Sequence, residues 1–239
     1  AMASGADMVV FDLEDGTVPA RRAEARAAVL PLYAGPRKAG QPLRLLRVNN
    51  PRTEDGLRDL LAVVDCADAP DGLILPKIEH AEEVRGVKNA MEIACSTAGR
   101  DGPQITCLFL GTADFSASIG SDLGWDALAH ARAETVLAAQ EAGIDAMDGV
   151  WFDPSDEVGL IDEAARIASM GFTGKASYDQ VQIPHIHAAF TPTSPQVDWA
   201  ERVLAATAAD PLGTARVDGK MVNESIARRA RRILDRRPA

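Results

Sequence analysis

Short runs of consecutive apolar residues alternate along the chain with longer segments whose apolar positions recur at helical spacing. The runs occupy residues 8–11, 43–48, 73–75, 105–110 and 149–152, with a sixth at 172–176. Unbroken runs, as opposed to strict alternation, mark strands buried on both faces, as in parallel sheets. Between them the sequence predicts helices over 21–33, 53–64, 79–95 and 126–142, the last ending at Gly143, a natural residue just past a helix end. Ser155 or Asp156 is placed to cap a helix that runs to Met170 and stops at Gly171. After about Pro184 the rhythm changes to a helix and turn over 185–195, then helices over 196–209 and 223–236. The expected organisation is a catalytic β/α domain over 1–184 and a C-terminal helical extension over 185–239.

Strand followed by helix, repeated, predicts an α/β fold. Two parallel architectures compete, an open doubly wound sheet and a TIM-type (β/α)8 barrel. Nearly every run ends in polar groups: Asp12-Leu13-Glu14-Asp15, Arg47-Val48-Asn49-Asn50, Pro76-Lys77, Gly111-Thr112-Ala113-Asp114, Asp153 and Lys175. A barrel gathers all its strand ends at one mouth, whereas an open sheet uses only its switch point. No glycine-rich phosphate-binding motif follows any run. The pattern therefore favours the barrel, with six strand candidates where eight are needed.

Composition narrows the function. The 239 residues are 46% hydrophobic, enough for a packed core, and no stretch of about 18 apolar residues is free of charge, so no membrane span is expected. The opening residues carry no basic flank before an apolar stretch, so no signal peptide is expected there, and a cytoplasmic location is. The net charge of −10 argues against a nucleic-acid partner; the arginines of 228–237 read as a solvated last helix. Three scattered cysteines, Cys66, Cys95 and Cys107, fit a reducing compartment and core thiols, and the four histidines show no metal-binding spacing.

Asp12, Glu14 and Asp15 bring three carboxylates within four positions at a strand end, and Asp12 and Glu14 face the same way. By themselves they read as a polar turn. With Arg47, Lys77 and Asp114 at the same level of other strands, they read as a site for an acidic substrate and a hard divalent metal. The stretch from Ser4 to Gly16, with Ala25-Arg26 beyond it, resembles the citrate lyase beta subunit and malyl-CoA lyase family of barrels. Arg47-Val48-Asn49, Leu75-Pro76-Lys77-Ile78-Glu79, the segment from Asn89 to Ala94, and that from Phe109 to Phe115 follow in the family's order. So do the segment from Ala142 to Val150, Gly171 to Lys175, Ala188 to Pro192, and Asp218 to Val222.

The resemblance implies a Mg2+-dependent carbon–carbon lyase. It would cleave a 3-hydroxyacyl thioester of the citryl-, malyl- or citramalyl-CoA type into acetyl-CoA and a 2-oxo acid, in a trimer or hexamer. It casts Arg47 as the arginine that holds carboxylate or enolate charge and Asp114 as a metal ligand. Gly111, Thr112 and Ala113 would offer backbone donors to the oxo acid. Asp12, Glu14 and Asp15 would orient Arg47 and metal-bound water. Lys77 lies at the mouth as a substrate contact or a structural ion pair. Asp114 reads equally as the N-cap of the helix that follows.

Four departures from the family pattern stand out. The family's first strand would precede Ala1. Its fifth strand, which ends in a glutamate ligand, is missing where Ile78-Glu79-His80-Ala81-Glu82-Glu83-Val84 runs directly into Arg85. The expectation is that segments of the natural chain are absent at both places, since a barrel does not lose two strands and stay closed. Tyr178-Asp179-Gln180 replaces the family's Ile-His-Pro turn, and Asn223 stands where the lyases carry an aspartate base. The last two favour an alternative, a catalytically impaired homologue that binds the oxo acid and CoA. A thioesterase or malate-synthase-like enzyme on the same scaffold is a third reading.

Overall fold

The computed structural model describes residues 2–66, 68–97, 104–210 and 215–237. Strands β1 (Met8–Asp12), β2 (Leu43–Arg47) and β3 (Gly72–Ile74) form a parallel sheet in that order. Its register sets Met8 beside Leu43, Asp12 beside Arg47, and Arg47 beside Ile74. A second sheet has the order β4 (Cys107–Phe109), β5 (Asp145–Asp148), β6 (Gly174–Lys175), with β5 and β6 parallel. Strands β7 (Arg216–Val217) and β8 (Lys220–Met221) make an antiparallel hairpin. Its tip residues, Asp218 and Gly219, both adopt the left-handed conformation, with φ 52° and 76°, that tight hairpins require.

The helices are α1 (Arg22–Val29), α2 (Glu54–Asp65), α3 (Ala81–Thr97), α4 (Thr112–Ile119), α5 (Trp125–Ala142), α6 (Glu157–Met170), α7 (Ile183–Phe190), α8 (Ser194–Ala209) and α9 (Glu224–Asp235). Local chemistry explains their limits. The Thr53 side chain accepts the Gly56 N–H and Asp156 accepts that of Gly159, two N-caps, while Gly143 and Gly171 end α5 and α6 in the left-handed conformation. Asn223 caps α9 by accepting the Ile226 N–H at 3.2 Å.

The chain divides into two compact units. The first comprises residues 1–107 and 113–122, the second 108–112 and 123–239. In the first, Leu13, Val29, Tyr33, Leu46, Val48 and Val63 form the core, so β1 and β2 bury their apolar runs beneath α1 and α2. In the second, Val136, Ala139, Ala146, Ile167 and Phe172 form one core, and Ala200, Val203, Val217, Val222 and Ala230 form another between α8, α9 and the hairpin. No helix among the described residues is long and apolar enough to cross a membrane.

The α/β class and the alternation of strand and helix are as expected. The single closed ring is not found among the described residues, whose first six strands fall into two sheets of three. No strand separates β3 from α3, and Glu82, in the stretch that runs into Arg85, lies on α3 and pairs with Arg85 at 2.9 Å. The run at 149–152 is a loop, and the strand lies just before it, at Asp145–Asp148. The helix expected over 21–33 is α1 flanked by two 3₁₀ turns, because Pro31 has no N–H to continue the α-helical ladder. Asp114 is not a cap, since α4 already begins at Thr112. Cys66 and Cys107 are half-buried and not core thiols, and the side chain of Cys95 lies outside the described residues.

Candidate active site

The site of the first unit is built where β1, β2 and β3 end. Because Asp12 and Arg47 are register partners, their side chains meet across the strand pair: Arg47 donates from Nε to Asp12 Oδ1 at 2.8 Å and from Nη2 to Oδ2 at 2.5 Å. The same carboxylate accepts the Glu14 N–H at 2.9 Å and the Gly16 N–H at 2.8 Å, folding the chain back on itself after β1. Gly16 is needed there, since a methyl group on its Cα would press on the Asp12 carboxylate. Arg47 Nη1 lies 3.3 Å from Glu14 Oε2, a buried oxygen with no other described hydrogen-bond partner.

Lys77 closes the cluster. Its ammonium donates to Glu14 Oε1 at 2.5 Å and to both Asp15 oxygens at 2.9 Å. Its backbone has φ 51°, a left-handed conformation that costs a lysine free energy, held by Asn50 Nδ2 donating to the Lys77 carbonyl at 2.9 Å. Three carboxylates thus enclose two cations, with Arg47 and Lys77 keeping about a third of their side chains exposed. Burial by itself would raise Asp12, but the hydrogen bonds from Arg47 and from the Glu14 and Gly16 amides hold its carboxyl below the ordinary value. The Lys77 hydrogen bond lowers Asp15, the Asp12 bond raises Arg47, and Glu14 and then Asp15 raise Lys77.

A layer beneath holds the end of β2 in place. Asp59, fully buried on α2, accepts Arg26 Nε at 2.5 Å and both the backbone N–H and Nδ2 of Asn49 at 2.8 Å. Asn49 Nδ2 also donates to the Leu13 carbonyl at 2.9 Å, tying the two strand ends together. Arg26 and Asn49 stand out in the sequence only as parts of recurring motifs; Asp59 was not legible, because nothing in α2 marks it as inward-facing and polar.

Asp12, Glu14, Asp15, Arg47 and Lys77 are therefore brought together as expected. Leu110 and Gly111 connect β4 to Thr112, the first residue of α4, and Leu110 donates its N–H to the Met147 carbonyl at 2.9 Å. Ala113 and Asp114 are exposed in the first turn of α4. No hydrogen bond or ion pair links the Asp114 carboxylate to another described residue, the carboxylates of the β1 end included. No cluster of three acidic, histidine or cysteine side chains able to hold a metal occurs among the described residues. One uncommitted hard oxygen donor suits Mg2+, which keeps most of its water and takes one or two protein carboxylates.

The second unit contains a buried charged assembly whose members lie far apart in the sequence. Arg132 of α5 forms two parallel bonds to Asp148, 3.0 Å each, and contacts Glu163 of α6 at 2.9 Å. Lys175 donates to Asp148 Oδ2 at 3.0 Å, Glu163 Oε1 at 2.7 Å and the Gly149 carbonyl at 2.8 Å. All four side chains are at least nine-tenths buried. Lys175 is visible beforehand as a polar strand end, but its partners lie 12 and 27 residues away and no local pattern links them.

Comparison with known proteins gives concordant matches. The family model for HpcH/HpaI aldolase/citrate lyase matches residues 1–87 and 82–179, two stretches that overlap where the fifth strand was expected. The chain is 31% identical to the citrate lyase subunit beta of Escherichia coli K12, over 97% of this chain and 85% of that protein. It is also 31% identical to a (3S)-malyl-CoA thioesterase of Cereibacter sphaeroides, over 93% and 83% respectively. Among solved structures, the protein CitE of Mycobacterium tuberculosis in complex with magnesium, acetoacetate and coenzyme A superposes with a TM-score of 0.77. That match is 29% identical and covers 98% of this chain and 91% of the other.

Proposed function

Since the chain belongs to the HpcH/HpaI aldolase/citrate lyase family, we propose that it is a Mg2+-dependent carbon–carbon lyase of 3-hydroxyacyl-CoA thioesters that releases acetyl-CoA and a 2-oxo acid. The observation that carries this reading is the pair of cations, Arg47 and Lys77, held at strand ends by Asp12, Glu14 and Asp15. Such an array is suited to fixing a small anionic group and to stabilising charge that builds up on oxygen.

The reaction asks three things of the protein. The 3-hydroxyl proton must leave, the bond between C2 and C3 must break, and its electron pair must pass to the thioester as an enolate that is then protonated. Arg47 is assigned to the carboxylate or enolate charge. Its Nε–Nη2 edge is occupied by Asp12, so the ligand meets the Nη1 side, where Glu14 fixes the guanidinium plane. Lys77 adds a second positive charge, and Asp15 sets where its ammonium points. The amides of Gly111, Thr112 and Ala113 are assigned to the oxo acid. Asp114 is assigned to hold Mg2+, which when bound supplies Lewis acidity to the carbonyl oxygen. Asn223 is committed as a helix cap and does not take a proton at neutral pH, so the hydroxyl proton passes to a carboxylate or to solvent.

We read the scaffold as a (β/α)8-type barrel with a helical extension over 185–239, in a cytoplasmic homotrimer or hexamer, with no nucleic-acid or membrane partner. The relative named a malyl-CoA thioesterase favours a second reading, hydrolysis of the thioester. One assay separates the two. Purified protein with Mg2+ is given malyl-, citramalyl- and citryl-CoA, and the 2-oxo acid and free CoA thiol are followed in parallel. Oxo acid without thiol supports the lyase; thiol alone supports the thioesterase. Neither product, with Mg2+-dependent oxo-acid binding, would leave an inactive binding homologue. Asp114→Ala removes the Mg2+ requirement's protein ligand, and unchanged Mg2+ affinity would refute that assignment.

A further inference from the structure

We infer that the buried quartet Arg132–Asp148–Glu163–Lys175 is a positioning device for the turn between β4 and α4, acting through the carbonyl of Gly149 and the side chain of Thr112. The inference rests on the proposed role of that turn in holding Mg2+ and the oxo acid, and it deepens it by naming what keeps the turn in place.

The quartet is balanced, with two cations and two carboxylates, and each carboxylate bridges both cations. A lysine ammonium has three donors. Two of Lys175's go to Asp148 and Glu163, and the third goes outside the quartet to the Gly149 carbonyl. That bond fixes the peptide that follows β5. Gly149 is pressed against Thr112, the first residue of α4: a methyl group on its Cα would overlap Thr112 Oγ1 and lie 2.8 Å from Cγ2 and 3.0 Å from Cβ. Thr112 is itself 4% exposed. One turn further along α4, Ser116 is buried with no described partner for its hydroxyl, so the helix start is located by packing and not by that hydroxyl. Two points therefore register the turn on β5, the Leu110 N–H on the Met147 carbonyl and Thr112 on Gly149. Lys175 orients the second. Asp114 lies two residues beyond Thr112 on the same helix, so the placement of Thr112 sets that of the carboxylate. Each at least nine-tenths buried, the four charged groups are positioning residues.

The test uses two variants of the whole chain. Lys175→Met with Glu163→Gln removes one cation and one anion, keeps the quartet neutral and leaves the Arg132–Asp148 fork. Gly149→Ala leaves all four charges and displaces Thr112 directly. Both are compared with wild type for Mg2+ affinity by calorimetry, for hydrogen exchange of residues 108–116, and for the split between kcat and KM. Both variants are expected to weaken Mg2+ binding about tenfold, in the range typical of lost outer-shell support. Amide exchange at the turn should accelerate, and kcat should fall with KM for the thioester changed less than twofold. A purely structural quartet would lower the melting temperature of the double variant while leaving Mg2+ affinity and exchange at 108–116 as in wild type, and that result would overturn the inference. If the double variant does not fold, the milder Glu163→Gln, which keeps both cations and Asp148, is read in its place, and wild-type Mg2+ affinity with wild-type exchange at 108–116 would overturn the inference. Should wild type neither turn over a thioester nor bind Mg2+, the functional reading fails, yet exchange at 108–116 still decides whether the quartet holds the turn.

Discussion

Asp12 and Arg47 are direct register partners on neighbouring parallel strands, and the carboxylate grips the guanidinium by two parallel hydrogen bonds of 2.8 and 2.5 Å. The pairing makes the direction of Arg47 a property of the sheet and not of a flexible side chain. Held on its Nε–Nη2 edge in this way, the guanidinium is pre-organised to meet an anionic ligand from its Nη1 side.

Asp12→Asn tests that arrangement. The amide retains one acceptor, so the turn after β1 is partly kept, but the ionic fork is lost. Stability is expected to fall by about 1–2 kcal/mol, the low end for charge-assisted bonds because both side chains are about a quarter exposed. The value of kcat/KM should drop about 10–100-fold, as for lost outer-shell support. Urea unfolding and steady-state kinetics measure the two. A loss of stability with no kinetic change would show that Asp12 serves the turn only.

The same cluster fixes a pH dependence. Asp12 and Asp15 have folded values below the ordinary 3.8, so their stabilisation is complete above that value and is lost as the pH falls through the lowered folded value. Lys77 is raised above its ordinary 10.5, so its stabilisation is complete below that pH and is lost as the pH rises through the raised value. These three groups therefore contribute a flat stability profile between about 4 and 10. Asp12→Asn should flatten the acid limb, and Lys77→Met the alkaline limb, in melting temperatures taken below about pH 4 and above about pH 10. An acid limb of unchanged slope in Asp12→Asn would refute the assignment.

The first sheet was legible because β1 and β2 are unbroken apolar runs whose ends carry the charged residues, so Asp12, Glu14, Arg47 and Lys77 could be set at one level before any register was known. The strand at Asp145–Asp148 was not, because Asp148 is a charged residue in a wholly buried position, and a polar letter there reads as the end of a run. What makes the burial tolerable, Arg132 and Lys175, is separated from it by 16 and 27 residues. Tertiary neutralisation of this kind leaves no periodic trace. The exposure of Asp114 two residues into α4, against the cap expected of it, depends on where the helix starts, and Thr112 decides that by packing on Gly149.

Asp148→Asn is expected to destabilise the protein by about 3–5 kcal/mol, since it removes one of two buried carboxylates and leaves Arg132 and Lys175 sharing the other. Asp162→Asn is the matched control. Asp162 sits on the same helix as Glu163 and pairs with Arg166 at 3.7 Å on the surface, and a change below about 0.5 kcal/mol is expected. Urea unfolding of both variants gives the contrast. Equal, small effects would mean that water or side-chain rearrangement relieves the charge left in the interior.

Asn223 separates helix capping from acid–base chemistry. Its side chain accepts the Ile226 N–H, and it directly follows Val222, which is buried in the core beneath α8 and α9. Aspartate caps a helix as well as asparagine and adds a favourable charge at the positive end of the helix dipole. Asn223→Asp should therefore leave the melting temperature unchanged or raise it slightly, whereas Asn223→Ala should cost about 1 kcal/mol through the lost cap. If the carboxylate supplies the proton acceptor that an asparagine does not, Asn223→Asp should also increase lyase turnover, with a rate that rises as the new carboxyl ionises. The two readouts are independent, because the cap is formed in either protonation state of the protein's other groups. Thermal melts of both variants, with the pH profile of oxo-acid release by Asn223→Asp, make the measurement. A stable aspartate variant with no gain in turnover would show that proton transfer in this enzyme runs through another group.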